Sequence, residues 1–440
     1  MQILAQLALI VLCLLMFKVD RKYKLAILLL SAICFNCVRI SFIPFGLSRF
    51  ILCNCFLLSE LPYIMSHIKT IKQTILKSLI LTMIVATVIL AIHSPHYNSP
   101  LQYTRLIIME LIAKYFIICY AFVSIRNESD LRPSFNIAYY GLLILTIFAI
   151  LNYITKHAVF INEMLKGMTL VDVMQDAGDK FTFADRFRVQ AMFFNPFDYG
   201  YVCICLFLFH WYGYIKSFIT KIKFYIASVC CLFGIITCGC RTVMLCTLIA
   251  CAVYVLAAFN LKKSIKYCAI CILIGTILLS FVPFMQDKMN EMLSMFDKNS
   301  SIGGSSVEMR ILQYTAVLYH IRNHFLFGRG LDFFNIDMGW AEGKQFLVDR
   351  DLQGIEGVLM NQLLERGIVG VCFYLFFYCS LIIYCLKNSR IDKLTSALFI
   401  SILTTYLAFA NMTGELNSIL PTLLISGICI KLLYNRKQLS

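Results

Sequence analysis

The sequence predicts an all-α, polytopic integral membrane protein, and three observations carry the prediction. Of its 440 residues, 60% are hydrophobic and only 14% are charged. The mean hydropathy is +0.79. The apolar residues are gathered into separate stretches rather than spread along the chain. A soluble domain carries roughly 25% charged residues, whereas crossing about 30 Å of hydrocarbon takes about 20 apolar residues in a row. Helices follow because a helix satisfies its own backbone hydrogen bonds where there is no water.

In chain order the apolar runs fall at residues 1–17, 25–44, 47–66, 77–94, 104–125, 135–155, 190–213, 223–240, 242–260, 266–285, 367–386, 394–411 and 417–434. They predict about 12–13 transmembrane helices in one polytopic domain over residues 1–440. The first run lacks a basic leading region and a small-residue cleavage site, and its positive charges follow it, so it is expected to be a retained anchor. With the first terminus outside, "KVDRKYK", "HIKTIKQTILK", "RNESDLR", "KSFITKIK", "LKKSIK", "KNSRIDK" and "NRKQLS" all fall on the cytoplasmic side, as the positive-inside rule requires. The net charge of +15 is thereby a topology signal rather than a nucleic-acid footprint. Most of the twenty cysteines lie inside apolar runs, and the two longest polar segments hold none. They read as small buried hydrophobes, since "CNC" and "CGC" lack the further ligands of a zinc site.

Two polar segments remain on the extracytoplasmic side, a first long loop at 156–189 and a large loop at 286–366. In the larger, Val307, Ile311, Tyr314, Leu318 and Ile321 recur at spacings of three and four, which predicts an amphipathic helix lying on the membrane face. Eleven of the sixteen arginines fall in this outer half, whereas the inner loops are mainly lysine. A guanidinium forks onto two phosphate oxygens and keeps its charge, so the bias points to a phosphorylated lipid on that side. The plainer reading of Arg39, Arg49 and Arg105 is snorkelling beside their helices.

Other polar residues carry less. Glu110 and Lys114 sit i, i+4 on one span in the favourable order for an ion pair. His93 and His96 flank an outer turn and read as interface residues rather than metal ligands. His320 and His324 share one helix face, where His320 would help to bind glycan or simply be solvated. "GRG" lacks the lysine and the preceding strand of a phosphate loop, so it is a turn. No metal and no cofactor are called for.

Three arginines stand in more specific settings: Arg188 in "RVQAMFFNP", Arg241 in the short turn "TCGCRTVML", and Arg310 at the start of the outer helix. These pieces resemble the O-antigen polymerase and O-antigen ligase superfamily. The resemblance covers an arginine followed by Asn195 and Pro196 at a helix start, a small-residue turn with Arg241 and Thr242, and an outer helix leading to the Gly-x-Gly of Gly328 and Gly330. "EGVLMNQLLERGIVG", residues 356–370, is similar to a further element that begins His-Asn in ligases and with an aspartate in many polymerases. Here Glu356 and Gly357 occupy those two places, and Gly367 and Gly370 match. The carboxylate leans toward polymerase.

The resemblance implies transfer of a glycan from undecaprenyl pyrophosphate to a hydroxyl of a lipid-linked repeat unit at the outer face of a bacterial inner membrane. The departing pyrophosphate then needs cationic clamps, and the acceptor hydroxyl needs a general base. Glu356 is the expected base, since burial beside lipid moves a glutamate toward the working pH. Its plainer reading is a surface pair with Arg350 or Arg366. Arg188, Arg241 and Arg310 are expected on the pyrophosphate, with Arg186, Asn195, Arg329 and His320 contributing to substrate binding. The bilayer and the undecaprenyl-pyrophosphate-linked oligosaccharide are the expected partners, beside a chain-length regulator and a flippase. Two alternatives stay open: a ligase acting on lipid A core, and a flippase. A flippase would place ionisable residues at mid-span in two similar halves.

Overall fold

The computed structural model describes residues 2–40, 47–72, 75–165, 188–260, 262–266, 307–338, 350–352, 355, 357–414 and 419–439. Glu356, Arg186 and, of the apolar run 266–285, residues 267–285 lie outside the described residues. The chain is all-α and polytopic; the only extended pairing among the described residues is an isolated bridge between Arg39 and Leu47.

The first apolar runs form α1 (Gln2–Lys18), α2 (Arg21–Cys34), α3 (Ser48–Lys72) and α4 (Ile75–Ile92). The run at 104–125 is a composite: α5 (Pro100–Leu106) passes into a π-helical stretch, Ile107–Tyr115, and then into α6 (Ile117–Ser124). Its two parts are bent by 52°. Next come α7 (Arg132–Thr155), α8 (Val159–Leu165), α9 (Pro196–Ile215), α10 (Lys221–Thr237) and α11 (Arg241–Ala258). The outer amphipathic helix is α12 (Val307–Ile321), followed by the single turn α13 (Phe333–Ile336). Three long helices close the chain, α14 (Val358–Lys387), α15 (Lys393–Thr413) and α16 (Ile419–Leu439). Among the described residues, five helices are long and apolar enough to cross a membrane, or six if the bent composite counts as one span.

The helix ends gather at two rims. At one, Asp392 accepts hydrogen bonds from Lys216 at 3.0 and 3.2 Å and lies 2.8 Å from Arg436 Nη1, while Arg436 Nη2 lies 2.7 Å from Glu128. That clasp ties the ends of α9, α15 and α16 to the 126–131 turn. A polar cavity of about 410 Å³ joins Asp20, Arg21 and Lys22 to Arg126 and Asp130 at the same rim. This is where the sequence places the lysine-rich loops. Burial alone would raise the Asp392 carboxyl, but hydrogen bonds from Thr395 and Lys216, with the Lys216 charge, outweigh it and hold the group below the ordinary carboxylate range.

The opposite, arginine rim carries the predicted functional residues. Its segments are cross-tied by Ser94 to Leu331 O, Tyr97 to Asp332, Asn152 to Ala191 O and the Val189 amide to Thr237 O. There α12 buries Ala316, Val317 and Ile321 against Phe333, Leu352, Ile355 and Leu364. Of the predicted apolar stripe, Ile311 and Leu318 are 57% and 59% exposed, so that edge turns away from the protein, as a helix lying on a membrane face needs.

Candidate functional site

One quarter of the arginine rim is built from two helix starts and one helix end. Asn195 stands in extended backbone, and its side-chain oxygen accepts the Asp198 amide at 2.8 Å, capping α9 ahead of Pro196. Its amide nitrogen donates to the Asp198 carboxylate at 3.1 Å, so both ends of the side chain are engaged in the cap. Just upstream, the Val189 amide donates to Thr237 O at 3.1 Å, which fixes the residue after Arg188 to the last turn of α10. Gly239, with φ 63°, turns the chain so that α11 starts at Arg241. Gly200 closes the set: a Cβ there would lie 2.6 Å from Val243 Cγ1 and 2.8 Å from Cys238 Sγ. Arg188, Arg241 and the N-termini of two long helices therefore stand at one end of the bundle, and each N-terminus adds partial positive charge from its aligned peptide dipoles. Beside them Gln190 is fully buried, with no hydrogen bond to either side-chain amide atom among the described residues.

Arg310 comes to the same rim from α12. Its Nη2 donates to Met412 O at 3.2 Å, satisfying a carbonyl that the end of α15 leaves without an intrahelical partner. Ser401 Oγ donates to Ala250 O at 2.7 Å, fixing the antiparallel register of α15 on α11. Nine residues further along each helix, Arg241 stands level with Ala410, two residues from the carbonyl that Arg310 holds. Gly357 (φ 107°) begins α14 here: a Cβ on it would lie 3.1 Å from Asn411 O and 3.7 Å from Tyr314 Oη. Half-buried Asn361, one turn on, leaves its side-chain oxygen without a hydrogen bond among the described residues.

The next quarter is organised by a break at Gly367, whose φ of 61° and ψ of −166° are non-helical. An unbroken helix would pair the amides of Ile368 and Val369 with the carbonyls of Leu364 and Glu365. Instead those amides donate to Phe325 O and Leu326 O at 2.9 and 3.2 Å, while the Leu364 and Glu365 carbonyls accept the Arg329 and Gly330 amides at 2.7 and 3.0 Å. Residues 325–330 thus strap across the break and supply partners to these four groups. The approach is backbone to backbone: a Cβ at Gly328 would lie 2.6 Å from the Arg366 and Gly367 amides, and one at Gly367 would lie 2.5 Å from the Gly328 amide and overlap Leu326 O. That is the physical reason for Gly328 and Gly367; Gly330, at φ 104°, is instead kept bare by Pro95, whose Cδ would lie 2.5 Å from a Cβ there.

Under the strap lies a cavity of about 220 Å³ lined by Tyr97, Arg105, Glu110, Asp332, Glu365 and Arg366, with Leu106, Met109 and Leu331 as its apolar side. Arg366 turns into the bundle and reaches Glu110 at 3.2 Å, and Lys114 reaches the same oxygen at 3.5 Å. The expected Glu110–Lys114 pair is therefore one arm of a triad on the π-helical stretch. Arg105, read from the sequence as a snorkelling residue, lies 3.5 Å from Asp332, which also accepts the Tyr97 hydroxyl at 2.9 Å. Burial, and then the Asp332 carboxylate, push the Tyr97 hydroxyl well above the ordinary tyrosine range, so it stays a donor. His96 pairs with Asp337 at 2.8 Å and His93 stacks on Phe327.

Of the remaining expected site residues, Arg329 gives its amide to the strap and lays its guanidinium 5.4 Å from the Phe333 ring centre, and half-buried His320 meets Tyr319 edge-on. Sequence reasoning missed Tyr97, Asp332 and Glu365. The usable signal was the Glu365–Arg366 pair standing directly before Gly367. No group of three or more metal-ligating side chains occurs among the described residues. Residues 226–375, from within α10 to just past the middle of α14, match a family model described as O-antigen ligase. No curated protein matches the chain.

Proposed function

We propose that this chain, whose residues 226–375 match a family model described as O-antigen ligase, is a member of the O-antigen ligase and polymerase superfamily and acts as an oligosaccharide repeat-unit polymerase. It transfers a growing glycan from undecaprenyl pyrophosphate to a hydroxyl of a lipid-linked repeat unit, at the extracytoplasmic face of the inner membrane. A chain-length regulator and a flippase are its proposed protein partners.

One observation supports this reading most. Arg188, Arg241 and Arg310 share one rim with two helix N-termini, and Gly357, the neighbour of Glu356, packs at the end of the helix whose carbonyl Arg310 holds. In the reaction the anomeric C–O bond to the pyrophosphate breaks as the acceptor oxygen forms a new bond to the same carbon. The leaving diphosphate gathers charge, and fixed guanidinium groups with helix N-termini hold that charge without reorganising. Arg310 would divide its fork between the Met412 carbonyl and substrate. Glu356 takes the acceptor proton. Buried Gln190 and the Asn361 side chain offer neutral hydrogen bonds to the sugars beside that centre. The carboxylate at position 356, where ligases carry histidine, favours polymerase over ligase.

The test is reconstitution of the full chain in liposomes with defined lipid-linked repeat units, read by product length. A ladder of multiples of the repeat supports polymerisation. A single transfer to lipid A core, or movement of precursor across the bilayer without a new glycosidic bond, would replace this reading with ligase or flippase.

A further inference from the structure

The cavity beneath the strap is separate from the arginines assigned to pyrophosphate, and its chemistry differs from theirs. Glu110, Asp332 and Glu365 are set against Arg105 and Arg366 on the lining, with Lys114 behind Glu110. Three formal negative charges meet three positive ones. A diphosphate site needs positive excess and a divalent-cation site needs negative excess, and this site has neither. It does present forked donors, paired acceptors and the Tyr97 hydroxyl along one side, with Leu106 and Leu331 along another. A sugar ring matches both sides, since its hydroxyls donate and accept while its C–H face is apolar. At about 220 Å³ the cavity falls below the ~300–1,000 Å³ of sites that enclose drug-sized ligands, which suits one ring rather than an oligosaccharide. Its walls are held by the four main-chain bonds of the strap, so the shape exists before a ligand arrives.

We propose that this cavity is a specificity pocket that takes one uncharged sugar ring of the substrate glycan, with Glu365 and Asp332 accepting its hydroxyls and Arg105 donating to them. The proposal rests on the polymerase reading only for the identity of the glycan. Discrimination follows because a sugar lacking the matching hydroxyl would gain no hydrogen bond to offset the desolvation of Glu365 and of the Asp332–Arg105 pair.

The probe is the repeat-unit oligosaccharide hydrolysed from its pyrophosphate carrier, titrated onto the full-length protein in detergent and followed by saturation-transfer NMR. Wild type should bind it. Glu365→Gln and Tyr97→Phe, which keep shape, and Arg105→Leu should each weaken binding by about tenfold. In liposome turnover Glu365→Gln should raise KM for the lipid-linked repeat unit with kcat nearly unchanged. Equal binding by wild type and the cavity variants, or no binding by wild type, would overturn the proposal. A wild type that binds the free oligosaccharide but forms no polymer would sink the polymerase reading and leave this pocket standing.

Discussion

Replacing Gly367 with alanine tests the strap, and its cost follows from the geometry. The backbone at φ 61° and ψ −166° lies in a region nearly closed to residues with a side chain, which costs on the order of 1–3 kcal/mol. The new Cβ would overlap Leu326 O and lie 2.5 Å from the Gly328 amide, so residues 325–330 must lift away. Each strap hydrogen bond contributes about 0.5–1.5 kcal/mol net, so losing only two of them adds about 1–3 kcal/mol. The sum is about 2–6 kcal/mol, and at roughly 2 °C per kcal/mol the melting temperature of the detergent-purified chain should fall by about 4–12 °C. Gly141→Ala is the matched control. Gly141 lies inside α7, and its Cβ would sit 3.3 Å from the buried Ile33 Cγ2 methyl, so a change within about 1 kcal/mol is expected from the better helix former set against the tight contact. If Gly367→Ala melted with wild type, the exchange of main-chain partners across the break would be the wrong account of this region.

Three further outcomes are expected. Glu356→Gln should leave the protein in the membrane and cut chain extension by about 10²–10⁴-fold, the usual contribution of a general base; polymer of normal length from that variant would remove Glu356 from the mechanism. Arg241→Lys should slow transfer by roughly 10- to 150-fold, since a point charge loses one of two parallel charge-assisted bonds, and wild-type kinetics would count against a bidentate role. Asp392→Ala should destabilise the chain toward the low end of about 3–5 kcal/mol, because it strips Lys216 of its carboxylate while Arg436 stays a third exposed and keeps Glu128. Because the Asp392 carboxyl is held below its ordinary value, wild type keeps this contribution above an unfolded pKa near ~3.9 and loses it as pH falls through the lower folded value. Thermal melting of both proteins across that acid range checks the sign.

The helices were legible because lipid leaves one solution for a long apolar run. The start of α9 was legible too, since Asn195 and Pro196 are a cap and a first helical residue by chemistry alone. So was the α10–α11 turn, because "CGCR" holds too few residues to do anything else. The cavity was not legible. Arg105 meets Asp332 across 227 positions, and nothing local to either residue announces the other. Read alone, Arg105 beside an apolar run is a snorkelling residue, and only the strap that brings Asp332 over α5 changes its meaning. The strap itself was half visible: Gly328, Gly330 and Gly367 could be seen to need something special, but a main-chain exchange leaves no side-chain pattern to say with what. Glu356 keeps its standing as the proposed base on the strength of the family motif and of its neighbour Gly357.

The clasp at Gly367 is written almost wholly in peptide groups, with glycine required at three places and no side-chain identity required at Phe325, Leu326, Arg329, Leu364 or Glu365. Folding instructions and ligand preference are thereby stored in different atoms of the same segment. Such a segment can be retailored toward a new carbohydrate by exchanging the groups that point into the hollow while the joint beneath them stays as it is.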